Sequence, residues 1–384
     1  MQRLLFLLPS FQLGGTNSSF NSFLSKIDRK RFSIDVFAFD DKGPNRAIVA
    51  KYANIIGGND AEKKVSEVPK RSMKDVVRSV KRILLKLHID ISPLAFRKVA
   101  SQLSAQNYEI VIAFQEGQTT KFLTYFNNTF KIAWVHCDYR DHIAINHIQP
   151  EKEVYSKIDR IVCVSKYTQD MFLSVLPDMK DKTQFLHNAM DVEAITEKSK
   201  QAIEERVFGD EKSFKLVSIG RLDPVKRFHL IPQIANTIKK QGYSFRWLII
   251  GGGSDDYLAE IKQFIKKFEV EDCVICIGAK PNPYPYLANA DMMVILSTSE
   301  ACPMVLNEAK ILEVPVVTTD YGSACEFIEN EKNGIISTID NISQSVISLM
   351  KNHELYNNIK CNLAKFEYPN DAIMCEMEEK ILKK

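Results

Sequence analysis

Residues 291–309 read Asp291-Met292-Met293-Val294-Ile295-Leu296-Ser297-Thr298-Ser299-Glu300-Ala301-Cys302-Pro303-Met304-Val305-Leu306-Asn307-Glu308-Ala309. The apolar run at its start is typical of a buried strand, and the segment after Pro303 suits a helix. This order places Glu300 in a loop and Glu308 on a helix, both at the carboxyl edge of a parallel sheet, where open α/β sheets bind ligands. Carboxylates accept hydrogen bonds from sugar and ribose hydroxyls, and a helix N-terminus accepts phosphate. The stretch therefore predicts a site for a ligand with both groups, such as a nucleotide sugar.

Short apolar runs of the same kind alternate with helical stretches along the whole chain. They occupy residues 3–8, 33–39, 109–114, 131–135, 160–164, 183–186, 215–219, 246–250, 273–277, 292–296 and 314–318. Because the runs show little strict alternation, we expect strands that are buried on both faces, and hence parallel, doubly wound α/β sheets. A chain of 384 residues is too long for one ordinary core, which favours two domains.

Two motifs in the second half resemble the retaining glycosyltransferases of family 4, which have the GT-B fold. They are the Glu-x7-Glu pair of Glu300 and Glu308 and the segment Gly220-Arg221-Leu222-Asp223-Pro224-Val225-Lys226. Pro303 and the tail from Asp320 to Glu326 also fit. The resemblance covers the C-terminal half well and the N-terminal half loosely. It implies two Rossmann-like domains that face a central cleft.

The resemblance also implies a domain plan. Residues 1–190 are expected to form an acceptor-binding domain and residues 212–365 a nucleotide-sugar-binding domain. The polar and charged residues 191–211 would link them. Residues 366–384 place apolar side chains at helical spacing, and we expect this last helix to cross back to the first domain, as it does in GT-B proteins.

Four residues are expected to hold the donor. Arg221 and Lys226 match the pair of cations that stabilises the leaving diphosphate in the family, without a metal. Glu308 corresponds to the glutamate that accepts from the ribose hydroxyls, and Glu300 to the one beside the donor sugar. The alternatives are that the cations are ordinary surface residues and that one glutamate merely complements the helix dipole.

Further contacts to the donor are expected on either side of these residues. The backbone N–H groups of Met304 and Val305 are placed to meet the phosphates at the helix start. Asn282 lies in the loop of residues 279–284, where family members hold the nucleotide base. The family often has Gly after the first glutamate, whereas this chain has Ala301 followed by Cys302, which would narrow the sugar pocket.

In the first half, Gly14, Gly15 and His136 are the candidates. The glycine pair follows the first predicted strand and would let a phosphate or an acceptor approach the backbone closely, although a tight turn explains it equally well. His136 ends a predicted strand, matches a histidine of the family, and would bond a donor-sugar hydroxyl or the acceptor. The alternative is a core histidine with its hydrogen bonds satisfied.

Composition excludes several classes of protein. A net charge of +3 gives no global field for nucleic acid. The apolar run of residues 4–8 is too short for a signal peptide or a membrane span, and is better explained as the first strand. The eight cysteines are scattered. Cys273 and Cys276 form a C-x-x-C without a partner pair, so we expect no metal site there or elsewhere.

The stretch from Lys70 to Leu87 predicts an amphipathic helix. Seven Lys or Arg residues and one acid are interleaved there with an apolar stripe at helical spacing. Such a helix suits an anionic membrane surface, but it equally suits core packing with a solvated basic face. The family resemblance favours the membrane, which would make this a cytoplasmic protein located peripherally on the inner face of the cell membrane.

Together these features predict a retaining, metal-independent glycosyltransferase with no cofactor beyond its nucleotide-sugar co-substrate. The donor is expected to be a UDP-sugar. The acceptor is expected to be a hydroxyl of a glycan or lipid-linked glycan, joined in an α-linkage during synthesis of cell-envelope polysaccharide. A nucleotide-sugar 2-epimerase of the same fold and a non-catalytic, membrane-associated scaffold are the two alternatives.

Overall fold

The computed structural model of the protein describes residues 1–56, 92–203, 207–208 and 213–383. The chain divides into two compact units. Unit 1 consists of Met1–Val164, Thr168–Ala189 and Asp371–Lys384, and unit 2 consists of Ser165–Tyr167 and Met190–Asn370. The predicted cationic helix from Lys70 to Leu87 lies outside the described residues, as does part of the predicted linker.

Unit 1 is built on a parallel sheet of seven strands. The strands are β1 (Gln2–Ser10), β2 (Phe32–Asp40), β3 (Asn54–Ile55), β4 (Ile110–Ala113), β5 (Phe130–Val135), β6 (Arg160–Cys163) and β7 (Thr183–Phe185), in the spatial order β3-β2-β1-β4-β5-β6-β7. The helices that begin in this part of the chain are α1 (Gly15–Lys26), α2 (Arg46–Val49), α3 (Ser92–Ser104), α4 (Gln118–Leu123), α5 (Tyr139–Asn146), α6 (Lys152–Ser156) and α7 (Lys166–Val175), with a 3-10 turn at Pro177–Lys182.

The first strand forms the centre of unit 1. All five residues from Leu4 to Leu8 are fully buried, which confirms that this run is a strand of the sheet. The Phe6 ring packs 5.2 Å from Phe20 and 5.4 Å from Phe23 of α1, measured between centroids. Each ring of this size buries enough apolar surface to contribute a few kcal/mol to the stability of the fold.

Unit 2 is built on a parallel sheet of six strands. They are β8 (Phe214–Ile219), β9 (Phe245–Ile250), β10 (Val274–Gly278), β11 (Met292–Ile295), β12 (Val316–Thr319) and β13 (Ile335–Ser337), in the spatial order β10-β9-β8-β11-β12-β13. The remaining α-helices are α8 (Val192–Ser199), α9 (Ile231–Lys240), α10 (Asp255–Lys267), α11 (Tyr284–Ala288), α12 (Met304–Ile311), α13 (Ala324–Phe327), α14 (Ile342–Lys351), α15 (His353–Leu363) and α16 (Asn370–Glu376). Short 3-10 turns occupy Pro224–Lys226, Phe228–Leu230 and Ile339–Asn341, and a π turn occupies Met377–Ile381.

A chain of two hydrogen bonds runs through the core of unit 2. Trp247 of β9 is fully buried, and its indole N–H donates to Ser218 Oγ at 3.1 Å. Ser218 Oγ in turn donates to the Val294 carbonyl at 2.6 Å. Because the indole N–H and the Ser218 hydroxyl both have partners, the indole costs little to bury and fixes β8, β9 and β11 against one another.

All eleven predicted strands are present within one to two residues, so the prediction of doubly wound parallel sheets is confirmed. The sequence pattern missed β3 and β13. These strands have two and three residues, too few to carry a periodic signal.

The strand order determines where a ligand binds in each unit. It reverses between β1 and β4 in unit 1 and between β8 and β11 in unit 2. Loops diverge at such a reversal and leave a crevice at the carboxyl ends of the strands. The segments that follow β1, β4, β8 and β11 are therefore the places to look for function.

Two arginines hold the C-terminal segment within unit 1. Arg160 Nη1 donates to the carbonyls of Lys380, Ile381 and Lys383 at 2.6, 2.7 and 2.7 Å. Arg31 adds an ion pair to Glu378 at 2.9 Å. In the described part of the chain, no helix is both long and apolar enough to cross a bilayer.

Candidate active site

Lys226 and Glu300 form an ion pair at the reversal point of unit 2. Lys226 ends the 3-10 turn after β8, and its Nζ contacts Glu300 Oε1 in the loop after β11. The same oxygen accepts from Ser297 Oγ at 2.7 Å, and Ser323 Oγ donates to the Glu300 carbonyl at 2.7 Å. The two side chains are 23% and 13% exposed. A charged pair is thus held at the carboxyl edge of the sheet, partly shielded from water.

Arg221, the other predicted cation, has a different partner. Its Nε donates to Asp223 Oδ2 at 2.6 Å, and its side chain is 77% exposed. Asp223 also caps the turn by accepting the Lys226 N–H at 3.3 Å. The structure therefore brings Lys226 to Glu300 but leaves Arg221 on the surface beside its own loop.

Glu308 is a buried carboxylate on α12. It is 9% exposed, and Tyr284 at the start of α11 donates its hydroxyl to Glu308 Oε1 at 3.1 Å. Burial raises the pKa of Glu308 from 4.5 to about 7, against the smaller lowering effects of the Tyr284 hydroxyl and of Lys198. The site thus holds a carboxylate that is poorly solvated and lacks strong donors.

The helix that carries Glu308 begins where the sequence predicted. Pro303 is the residue before α12, and the first intrahelical bond runs from the Asn307 N–H to the Pro303 carbonyl at 3.3 Å. The N–H groups of Met304 and Val305 precede this bond, so they have no acceptor within the helix. Cys302 is buried just ahead of them. The start of α12 therefore presents donors and its positive dipole end to the loop that carries Glu300.

The side chain of Asn282 makes hydrogen bonds to other residues of the protein. Its Nδ2 donates to the Lys198 carbonyl and to Gln201 Oε1, both at 2.9 Å. Its Oδ1 accepts the Tyr284 N–H at 3.2 Å. The side chain therefore orders the loop that places Tyr284 on Glu308. Tyr284 and Ser297 were not singled out from the sequence, although Ser297 directly follows the apolar run of β11 and Tyr284 ends a loop that was named.

The run Gly251-Gly252-Gly253 lets two loops approach closely. The Gly220 N–H donates to the Ile250 carbonyl at 3.0 Å, and the Leu222 N–H to the Gly252 carbonyl at 2.8 Å. A Cβ on Gly251 would lie 1.8 Å from the Gly220 oxygen. Gly251 and Gly253, whose Cβ would lie 2.1 Å from the Leu222 oxygen, are thus required by backbone packing next to the site. Ser254 then caps α10 by accepting the Tyr257 N–H at 3.2 Å.

Gly251→Ala is accordingly expected to destabilise unit 2 by about 3 kcal/mol, because the Gly220 carbonyl cannot move without breaking the β8–β9 register. Gly252→Ala is the matched control, since its Cβ would meet only the Ala279 Cβ, at 3.3 Å, a contact that a shift of a few tenths of an ångström relieves. Urea unfolding of the two variants measures the difference. Equal stabilities would contradict the packing explanation.

In unit 1, His136 follows β5 and is neutral at physiological pH. Burial lowers its pKa to about 4, and Nε2 is buried with no hydrogen-bond partner in the described residues. Its ring packs 5.0 Å from Phe114, centroid to centroid. Its backbone N–H donates to Glu116 Oε2 at 2.9 Å. A partnerless ring nitrogen does not fit a histidine satisfied within the core.

Gly14 and Gly15 lie at the other loop of this edge. Gly14 precedes α1, and a Cβ placed on it would meet no atom within 4 Å. Gly15 is the first residue of the helix. Asp138, close to His136 in sequence, caps α5 through the Arg140 N–H at 3.0 Å and pairs with the Arg140 side chain at 2.8 Å.

The profile of the family "Glycosyl transferases group 1" matches residues 199–366, which include all six strands of the second sheet and the whole Lys226–Glu300–Glu308 region. The match lies in the second half of the chain and shows that this half is similar to the group 1 glycosyl transferases. The predicted family resemblance is confirmed.

Curated relatives of the chain align over about half of their length. An N-acetylgalactosamine-N,N'-diacetylbacillosaminyl-diphospho-undecaprenol 4-alpha-N-acetylgalactosaminyltransferase of Campylobacter jejuni is 29% identical over 191 residues, 49% of each chain. The amylovoran biosynthesis glycosyltransferase AmsK of Erwinia amylovora is 25% identical over 203 residues, 51% of this chain and 47% of AmsK. The chain thus spans about half the length of the curated relatives it matches.

Solved structures match over the full length. HepE of Anabaena, determined in complex with UDP-glucose, superposes with a TM-score of 0.76 at 17% identity, and the match covers 100% of both chains. At this identity the likeness concerns the fold alone, and it confirms the prediction of the GT-B class.

Proposed function

We propose that this protein moves a sugar from a UDP-sugar to a hydroxyl of a glycan or lipid-linked glycan in bacterial polysaccharide synthesis, with retention of configuration and without a metal. The pairing of Lys226 with Glu300 at the reversal point of the second sheet carries this proposal. The polysaccharide context is supported by the names of the relatives, and the UDP donor by the complex of HepE.

The donor would be held by groups of the protein that stabilise the charge developing on the diphosphate when its bond to the sugar breaks. Lys226 would release Glu300 and stabilise the leaving diphosphate, together with the N–H groups of Met304 and Val305 at the start of α12. Glu300, once freed, would accept from the sugar hydroxyls. Glu308 would accept from the ribose, which supplies the donors that the buried carboxylate lacks.

The other predicted site residues would contribute through an exposed ion pair, through a neighbouring loop or from unit 1. The exposed guanidinium of Arg221 would have to leave Asp223 to reach a phosphate, an exchange between exposed partners that costs about 1 kcal/mol or less. Asn282 would act on the base loop through its hold on Tyr284. Gly14, Gly15 and neutral His136 would meet the acceptor or the sugar on the side of unit 1.

The expected result in a panel of UDP-, GDP- and ADP-sugars is slow nucleotide release from a UDP-sugar only, with purified full-length chain and no added metal. Glu308→Gln should abolish this release, because the ribose loses its anionic acceptor. Glu313→Gln is the matched control, since Glu313 is exposed just beyond α12. Release that is identical in wild type and Glu308→Gln would contradict the donor-site assignment. Binding of UDP without turnover of any sugar, even with lipid-linked glycan added, would favour the scaffold alternative.

A further inference from the structure

Three side chains suited to metal binding converge at the carboxyl edge of the first sheet. Glu116 follows β4, Cys137 follows β5, and His142 lies on α5. One ligand atom from each residue lies within 4.8 Å of the other two. Among the residues that the structure describes, these three are the ones that lie close enough together to bind one ion.

One ligand atom of this cluster has no hydrogen-bond partner in the described residues. It is His142 Nε2, which is buried. Glu116 uses Oε2 to accept the His136 N–H at 2.9 Å, and its carboxylate also accepts from the Cys137 thiol. Cys137 is a free, half-buried cysteine. A buried, partnerless ring nitrogen costs stability unless something binds it, which is the condition that a metal would relieve.

We propose that Glu116, Cys137 and His142 bind a zinc ion. Mg²⁺ and Ca²⁺ prefer oxygen ligands only, whereas a thiolate, an imidazole and a carboxylate form a donor set typical of Zn²⁺. Three protein ligands leave the fourth tetrahedral position to water. On binding, the Cys137 thiol loses its proton to solvent, and sulfur donates its electron pair to the ion.

The surroundings of His142 suit a ligand. The Asn146 Nδ2 lies 3.3 Å from His142 Nδ1 and donates to the His142 carbonyl at 2.8 Å. Asn146 therefore helps to hold the imidazole in place, as outer partners of ligating histidines do.

The ion would brace the loop that carries His136. Glu116 and Cys137 belong to the segments after two neighbouring strands, and His142 to the helix that follows. Joining them would fix the backbone at His136, whose N–H already bonds Glu116. The ion would thus act on the position of this loop, and binding it neither requires nor excludes the proposed sugar transfer.

Cobalt substitution of the tag-free full-length chain tests the proposal without any sugar substrate. After removal of metals with a chelator, one equivalent of Co²⁺ should give the near-ultraviolet thiolate-to-cobalt band, and Zn²⁺ should displace it. Cys137→Ser should abolish the band, and His142→Gln should weaken Zn²⁺ binding by at least about 10-fold. Cys276→Ser is the matched control, because Cys276 is also a free, half-buried thiol but lies in unit 2.

Circular dichroism of each variant shows whether it is folded. The proposal is overturned if folded wild type gives no thiolate band, or if the band survives in Cys137→Ser. A band lost in Cys276→Ser but retained in Cys137→Ser would move the metal to the C-x-x-C of Cys273 and Cys276 and would equally refute the assignment.

Discussion

Relative to wild type, the free energy of unfolding of Glu308→Gln is expected to rise by about 2 kcal/mol as the pH is raised from about 5 to about 8. The affinity of this variant for the nucleotide sugar is expected to fall by about 100-fold. The gain follows from the burial of a carboxylate, which raises its pKa from 4.5 to about 7. The loss follows because ribose hydroxyls donate more strongly to a carboxylate than to an amide. Glu308→Gln is therefore expected to raise the stability of the protein and to weaken donor binding.

The sign follows from proton linkage. A folded state with the raised pKa binds the Glu308 proton more tightly than the unfolded chain, so the stabilising contribution is complete below pH 4.5. It is lost as the pH rises from 4.5 to about 7, where wild type must bury a charge. Glutamine has no such titration. Any fixed cost of its amide is the same at both pH values and cancels in the difference.

Fluorescence-detected urea unfolding measures this effect. The chain has two tryptophans, Trp134 in unit 1 and Trp247 in unit 2, so a Trp134→Phe background lets Trp247 report the unit that contains Glu308. Glu313→Gln again serves as the control and should show no pH-dependent difference. A Glu308→Gln variant that tracks wild type at both pH values would show that the carboxylate is not desolvated.

The same titration predicts that donor binding depends on pH. Ribose hydroxyls that donate to Glu308 favour its charged form, so UDP binding to wild type should release a proton near pH 7 and tighten as the pH rises. Calorimetry in buffers of different ionisation enthalpy detects that proton. Its absence, with UDP bound, would place the ribose elsewhere.

Lys226→Met is expected to lower kcat about 1000-fold, the loss typical when a fixed charge at a developing oxyanion is removed. The free protein should also be less stable by about 1–3 kcal/mol, because Glu300 would retain a partly buried charge with only Ser297 to donate to it. Arg227→Met, at the neighbouring cation, is the control and should leave kcat unchanged.

A double variant separates the two roles of the lysine. Lys226→Met with Glu300→Gln removes the orphaned charge, so most of the stability should return while turnover stays absent. Single-turnover kinetics and urea unfolding of the four proteins in this cycle provide both values. Turnover that returns along with stability would mean that the loss in Lys226→Met came from the unpaired Glu300 charge and not from a missing contact to the leaving group.

The sequence by itself determined the class of fold and the family. Buried parallel strands have continuous apolar runs, and the pair Glu300 and Glu308 is a local pattern whose spacing follows from one loop and one helix. Pro303 fixed the start of α12 in the same way, since proline is readily accommodated there and lacks the N–H that a strand interior needs. Such features depend on neighbours in sequence and can be read without coordinates.

Only the tertiary structure decided which side chains contact one another in the site. The pairing of Lys226 with Glu300, of Glu308 with Tyr284, and of Arg221 with Asp223 depends on which loops the strand order brings together. The burial that raises the pKa of Glu308 is a property of the packed unit, not of the residue. Likewise Glu116, Cys137 and His142 form no compact motif, so no spacing rule finds them. They meet because β4 and β5 are adjacent and end at the same edge of the sheet.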